Sequence, residues 1–386
     1  MSRSQAPTIG LDVTAAVTQG GGIGRYTREL VWALAERADS YAYRFFSARP
    51  PAQLSVSSPI PRAQHIVYRQ APFSARWLYR LWYRLRLPLP VQLFTGRVDL
   101  FHSPDFVLPP VFGDVPTLLT VHDLSFHYYP ETFTPALVNY LERVVPWSVR
   151  RATHVVADSI ATKNDLIQLW DVEPEKVTVL YSGVHPRFEP VTDEERLVAV
   201  REKYDLGRDP YLLSVSTVQP RKNFQMLIRA FKPLAAEMSH NLVIAGGRGW
   251  LSEKVLAEVE RQSLQGRVRF LGFVADEDLP ALYSGASLFA FPSLYEGFGL
   301  PLLEAMGCGV PVLTSNASSL PEVAGEAACQ LPPHDETGWT EAMARLLGDD
   351  AARAKMVAAG FRQARRFSWS RAADQLEEIY TDLLSL

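Results

Sequence analysis

At 386 residues, with 47% hydrophobic and 21% charged residues, the chain has room for two domains of ordinary size, each with its own core. A formal net charge of −3 gives no overall electrostatic case for nucleic acid, and no stretch approaches the roughly 18 uninterrupted apolar residues of a membrane-spanning helix. Two cysteines, Cys308 and Cys329, make neither a metal pair nor a disulfide framework, so with no signal-peptide core at the N-terminus the expected setting is a reducing cytosol.

Short apolar runs alternate with longer helical patterns along the chain. The first series of candidate strands is Thr8–Val13, His65–Tyr68, Leu100–His102, Thr117–Val121, His154–Ala157 and Val177–Leu180. A second series comprises Tyr211–Val215, Asn241–Ala245, Val268–Leu271, Leu288–Phe291 and Val310–Thr314. Helices are expected over Gly24–Arg37, Phe224–Glu237, Glu253–Gln265 and Pro301–Met306, with a last amphipathic one in Phe367–Leu386. Near-continuous apolar strands alternating with helices imply parallel sheets covered on both faces. Two series imply an α/β protein of two Rossmann-like domains with parallel sheets facing across a cleft. The expected boundaries are 1–190, 191–365 and a terminal helix at 366–386 crossing back to the first domain. Gly, Pro and charge break the pattern at 182–196, where the seam is placed. Residues 1–190 carry 19 Lys+Arg against 16 Asp+Glu, a net +3, and the remainder 20 against 26, a net −6.

In open parallel sheets ligands bind beyond the carboxyl ends of the strands, so residues there are the candidates. Thr8–Val13 leads into Thr-Gln-Gly-Gly-Gly-Ile-Gly (18–24) and a helix. Gly21, Gly22 and Gly24 would let the backbone approach a phosphate at the helix N-terminus, although a tight strand–helix turn needs such glycines too. His122, with Asp123, follows the strand Thr117–Val121, in a position open to a structural or a catalytic role. Gln219-Pro-Arg-Lys-Asn223 follows Tyr211–Val215, and two cations just before a helix conflict with its dipole unless an anion lies beside them. Arg221 would meet that anion as a fork and Lys222 as a point charge.

Downstream, Glu296-Gly-Phe-Gly-Leu-Pro-Leu-Leu-Glu304 spans a loop and the start of a helix, with Pro301 suited to the first turn. Glu304, placed in that first turn, needs no ligand to be explained; Glu296, stranded before the glycines, needs donors, which sugar hydroxyls supply in pairs. The amides of Phe298, Gly299 and Leu300 would face an anion or a sugar. Asp276-Glu-Asp278 has the form of a metal-diphosphate motif but opens a helix, so capping is expected, and no His/Cys cluster suggests a bound metal. In 76–87, Arg76, Arg80 and Arg84 fall on one helical face while Trp77, Leu78, Leu81, Trp82 and Leu85 populate the others. Such a helix suits an anionic membrane or a lipid-diphosphate acceptor, or packs on its domain through its aromatics.

Taken together, the 296–304 stretch, Gln219–Asn223, Gly-Phe-Val-Ala-Asp-Glu-Asp-Leu (272–279), the 20–24 glycines and Val-His-Asp-Leu-Ser-Phe (121–126) resemble the retaining GT-B glycosyltransferases of family 4 (group 1). The second and last of these look most like bacterial mannosyltransferases that use GDP-mannose. The resemblance implies that Glu304 holds the donor's ribose, that Arg221 and Lys222 neutralise its diphosphate, and that Glu296, with the Phe298–Leu300 amides, holds the transferred sugar. It implies that Gly22 and its neighbours cover the phosphates, that His122 contacts the sugar near the reacting carbon, and that Phe273 and Val274 meet the base. Expected partners are a nucleotide-sugar donor and a saccharide or polyprenyl-diphosphate-linked acceptor, with no cofactor, no metal and no nucleic acid. The expected location is cytoplasmic, peripheral on the inner membrane face through 76–87. The competing expectations are a UDP-sugar donor, a non-hydrolysing nucleotide-sugar epimerase, and a carbohydrate-binding protein without turnover.

Overall fold

The computed structural model describes residues 6–37, 40–50 and 60–386. Two compact units emerge, Met1–Leu124 with Ala136–Gly183 and Trp369–Leu386, and Ser125–Pro135 with Val184–Ser368.

The first unit holds seven parallel strands: β1 (Thr8–Asp12), β2 (Ala42–Arg49), β3 (Ile66–Ser74), β4 (Leu100–Ser103), β5 (Thr117–Val121), β6 (His154–Ala157) and β7 (Val177–Val179). Their spatial order is β3-β2-β1-β4-β5-β6-β7. The order reverses between β1 and β4, opening a crevice at their carboxyl ends. Helix Gly22–Ala35 covers β1 through Tyr26, Leu30, Val31 and Leu34, and the terminal helix Trp369–Leu384 shares this core. Its Trp369, Ala372, Ala373, Leu376, Tyr380 and Leu383 recur at helical spacing and are buried, each larger one contributing about 1.5–3 kcal/mol of apolar burial. Tyr380 Oη also lies 2.8 Å from His102 Nδ1, whose Nε2 is 3.1 Å from Thr120 Oγ1. Burial pushes His102 down to about 3, so this network is neutral. Arg37 pairs with Asp374 at 2.5 Å on the rim of the helix.

In the second unit six parallel strands, β8 (Tyr211–Val215), β9 (Asn241–Ala245), β10 (Val268–Gly272), β11 (Leu288–Phe291), β12 (Val312–Ser315) and β13 (Ala328–Leu331), run in the order β10-β9-β8-β11-β12-β13. The reversal here lies between β8 and β11. All four residues of β11 are buried, as a central parallel strand requires, and helix Phe224–Glu237 packs Phe224, Leu227, Ile228, Phe231 and Leu234 beneath the sheet.

Two strands escape the sequence pattern. In β2, Arg44, Ser47 and Arg49 interrupt the buried Tyr43, Phe45 and Phe46, while β13, Ala-Cys-Gln-Leu, is a half-buried edge without a β-branched residue. Segment Ser125–Pro135, expected within the first domain, packs instead with the second unit. Tyr128 stacks on Tyr295 at 5.5 Å, and Trp250 Nε1 donates to Thr132 O at 2.5 Å.

Candidate active site

At the β8–β11 crevice, Gln219 is extended, Pro220–Lys222 form one 3-10 turn, and Asn223 takes the left-handed conformation that starts helix Phe224–Glu237. The Asn223 amide fixes that corner by donating to Pro292 O at 3.2 Å and Pro333 O at 2.6 Å. The turn therefore presents Arg221 and Lys222 to the loop after β11. Glu296 sits between them: Lys222 Nζ is 2.5 Å from its Oε1 and Arg221 Nη1 is 3.2 Å from its Oε2. Ser293 Oγ donates to Oε1 at 2.5 Å, while Arg221 Nη1 also bonds Tyr295 O. Burial would raise this carboxyl, but Lys222 and then Arg221 outweigh it and hold Glu296 below its usual range. The loop backbone is pinned by Ser318 and Ser319, whose hydroxyls donate to Glu296 O at 2.5 and 2.9 Å. Three residues expected to grip different parts of one ligand thus form one buried ionic cluster, and the serines that hold it gave no signal in the sequence.

Gly299 has φ of +110°, and helix Leu300–Gly307 starts at the next residue. Only glycine takes that backbone readily, and a Cβ there would lie 2.7 Å from Leu320 Cδ2. Glu304 is the fifth residue of the helix, not in its first turn, so dipole stabilisation does not explain it. It is 2% exposed and accepts from Tyr283 Oη at 2.9 Å, a partner the sequence did not reveal. Phe298 turns its ring into the unit, edge-on to Phe367 at 5.7 Å. Of the pair assigned to the base, Phe273 is 72% exposed whereas Val274 is buried.

The motif at 276–278 departs from expectation. Asp278 precedes helix Leu279–Ser284 without a capping hydrogen bond; its carboxylate accepts from Lys203 Nζ at 2.6 Å and Tyr204 Oη at 2.7 Å instead. Among the described residues no three His, Cys, Asp or Glu side chains are grouped to hold a metal ion.

In the first unit the carboxyl ends of β1, β4, β5 and β6 carry Asp12, Asp105, His122 and Asp158. Asp12 accepts from Thr14 N at 2.8 Å, and burial raises it to about 6, with Asp105 adding repulsion. His122 Nδ1 is 2.7 Å from Asp158 Oδ2, and its Nε2 is 3.3 Å from Pro104 O. Burial opposes the imidazolium, but Asp158 first and Asp105 next overcome it, raising His122 above its ordinary value. The three aspartates were not predicted as site residues; Asp12 ends its strand and Asp105 and Asp158 stand two and one positions beyond theirs, which was the available signal.

The glycine loop splits by function. Among the described residues nothing lies within 4 Å of a Cβ built on Gly20, Gly21 or Gly22, whereas one on Gly24 would lie 2.1 Å from Gln19 O. Gly24 is therefore needed for the loop's own packing, a reason independent of ligand. In 76–87 the expected single helix is an α-helix over Ala75–Tyr79 continued by a π-turn over Arg80–Arg84. Leu78 of the α-helix and Trp82 and Tyr83 of the π-turn are buried, while Arg76, Arg80, Arg84, Trp77 and Leu85 remain exposed. No helix among the described residues is long and apolar enough to cross a membrane.

Two family profiles divide the chain: Glycosyltransferase Family 4 matches residues 20–188 and Glycosyl transferases group 1 matches residues 199–363. The O-antigen chain mannosyltransferase B of Escherichia coli is 33% identical over 373 residues, covering 93% of this chain and 95% of that protein. Sucrose-phosphate synthase from Thermosynechococcus elongatus has a TM-score of 0.76 at 21% identity, covering 98% of this chain and 99% of the other. Anabaena HepE in complex with UDP and glucose has a TM-score of 0.75 at 18% identity, covering 98% and 100%. The chain belongs to the family 4, group 1 glycosyltransferases, with the GT-B architecture of two Rossmann-like units. It is a glycosyltransferase, similar over nearly its whole length to a bacterial mannosyltransferase.

Proposed function

We propose that the enzyme transfers mannose from GDP-mannose, with retention, to a saccharide or lipid-linked saccharide acceptor in cell-surface polysaccharide or glycolipid synthesis. The observation carrying this reading is the Arg221–Lys222–Glu296 cluster at the β8–β11 crevice. The likeness to the E. coli mannosyltransferase supports mannose as the sugar. Cleavage of the sugar–phosphate bond leaves an oxocarbenium-like sugar and a diphosphate. Arg221 and Lys222, already fixed in place, stabilise that leaving charge without reorganisation and without a metal. Glu296, drawn between them, turns its oxygens to sugar hydroxyls, the amides at Phe298–Leu300 assist, and Glu304 holds the ribose. Gly21 and Gly22 cover the phosphates, the segment at Phe273 and Val274 meets the base, and His122 contacts the sugar. The acceptor oxygen attacks from the face the diphosphate leaves, passing its proton to the departing phosphate.

A thermal-shift panel of GDP-, UDP-, ADP- and dTDP-sugars tests the donor, since stabilisation follows RT ln(1 + [L]/Kd). GDP-mannose should give the largest shift and support turnover; a larger shift with a UDP-sugar overturns the donor assignment. Activity should survive a chelator, and loss restored by Mn²⁺ refutes the metal-free mechanism.

The enzyme works at an anionic bilayer, we further propose, through the face formed by Arg76, Trp77, Arg80, Arg84 and Leu85. Arg80 Cζ lies 5.2 Å from the centre of the Trp77 ring, which is 55% exposed, so cationic and interfacial groups are joined there. Flotation with anionic liposomes should be abolished by Arg76→Glu, Arg80→Glu and Arg84→Glu together; wild-type protein that stays at the bottom sinks the idea.

A further inference from the structure

We propose that Asp158 is a positioning residue for sugar transfer: it holds His122 through Nδ1 and so aims the Nε2–H edge of the ring at the substrate. The proposal rests on the reading of His122 given above and extends it to a residue the sequence did not single out.

The geometry around the ring leaves it little freedom. Asp158 Oδ2 is 2.7 Å from Nδ1, and the two residues are 5% and 6% exposed. Tyr26 meets the imidazole edge-on at 4.9 Å and Phe106 does so at 5.4 Å. The backbone is tied as well: Thr162 Oγ1 donates to His122 O at 3.2 Å, and Thr162 N donates to Ser159 Oγ at 3.1 Å. Ser159 caps the 11-residue helix Ile160–Trp170, so Asp158 sits just ahead of a helix N-terminus, where a negative charge is favoured. The helix thus secures both the carboxylate and the histidine it serves.

Both ring nitrogens face acceptors, Asp158 on one side and Pro104 O on the other, and only the imidazolium can donate to both. The contact to Pro104 is long at 3.3 Å, so a sugar hydroxyl or phosphate oxygen competes with it readily, whereas the contact to Asp158 is short. Among the described residues Asp158 Oδ1 is buried with no hydrogen-bond partner, which leaves His122 as the group the carboxylate serves. A buried ion pair is a poor source of stability against apolar side chains of similar volume, so packing does not account for this one. Of the other titratable groups around the pair, Asp105 adds attraction for the imidazolium, His102 is held neutral by burial and Tyr26 stays protonated, while Asp123 works against the pair by repelling Asp158.

The test uses the full chain with Asp158→Asn and Asp158→Glu, reading kcat, donor KM, the pH profile and the His122 imidazole by NMR. Asp158→Asn should lower kcat by about 10²-fold with donor KM within about threefold. Its high-pH limb and the NMR midpoint of His122 should both move to lower pH, and Asp158→Glu should restore much of each even if the asparagine variant is less stable. An unchanged kcat, an unmoved His122 midpoint, or a loss of kcat with an unmoved pH profile each overturns the proposal. His122→Ala separates the two layers. Wild-type kcat there defeats the reading of His122 itself, whereas impaired His122→Ala beside fully active Asp158→Asn defeats only the role of Asp158.

Discussion

In the second unit, Glu296 lies buried between Lys222 and Arg221, and these cations hold its carboxyl below the usual range despite burial. At the corresponding end of the first unit's sheet, burial raises Asp12, Asp105 and Asp158, and His122 is the cation drawn in among them. The two sheets share a strand order and a crevice position, yet the chemistry collected there is opposite in sign. Net charge points the other way, since the first half is the more basic. Its arginines at 76, 80 and 84 are spent on the surface, not at the strand ends. What a Rossmann-like unit offers a ligand depends on the few residues just beyond the strands, and the overall charge balance is a poor guide to it.

The sharpest way to break this contrast is to remove a cation from the second unit. Lys222→Ala should cut kcat by about 10²–10³-fold, the scale for losing one preorganised donor to a developing negative charge. It should also destabilise the second unit by about 3 kcal/mol, because Glu296 stays buried with one partner fewer. Steady-state kinetics and thermal unfolding measure both, and wild-type turnover would remove the diphosphate role. Next come the glycines that shape each crevice. Gly24→Ala, driven against Gln19 O, and Gly299→Ala, forced at positive φ against Leu320, should each cost about 1–3 kcal/mol. Gly21→Ala, whose Cβ would meet nothing among the described residues, should leave the unfolding midpoint unchanged. Equal midpoints for Gly24→Ala and Gly21→Ala would show that the loop rearranges freely.

pH sharpens the comparison further. Glu296 has a depressed folded value, so its contribution is present above about 4.5 and is lost as acid protonates it. Asp12 and His122 have raised folded values, so their contributions are full at low pH. That of Asp12 fades as pH rises from about 3.8 through about 6, and that of His122 fades above about 6.5. Hydrogen exchange, corrected for its intrinsic pH dependence, should therefore find acid loosening the β8–β11 crevice and alkali loosening the ends of β1 and β5. Parallel behaviour of the two would contradict the opposite electrostatics. The smallest effect expected is on affinity. Glu304→Gln should weaken donor binding by about tenfold in calorimetry, the scale of one charge-assisted hydrogen bond. Unchanged affinity would remove the ribose role of Glu304.

Much of the fold was legible because buried parallel strands read as continuous apolar runs; Tyr211–Val215, Asn241–Ala245, Leu288–Phe291 and His154–Ala157 follow from the sequence to the residue. Edge strands are less constrained, and β13 left no such mark. The ionic half of the site could be read because Gln219–Asn223 and 296–304 concentrate charge and glycine beside apolar strands. Its supports could not: Ser318, Ser319 and Tyr283 are ordinary residues whose value lies in what they meet across 21 to 23 positions. Asp158 meets His122 across 36.

By itself the sequence determined two Rossmann-like units, the strand ends at which chemistry gathers, and the residues of the Glu296 cluster, because these are encoded in local periodicity and in short motifs. Tertiary structure alone decided that Glu296, Arg221 and Lys222 form one buried ionic cluster, that Glu304 is gripped by Tyr283, that Asp278 pairs instead of capping, and that His122 answers to Asp158. Each of these is an encounter between side chains on different strands or helices, and their energies depend on distance and burial, neither of which a linear order of residues specifies.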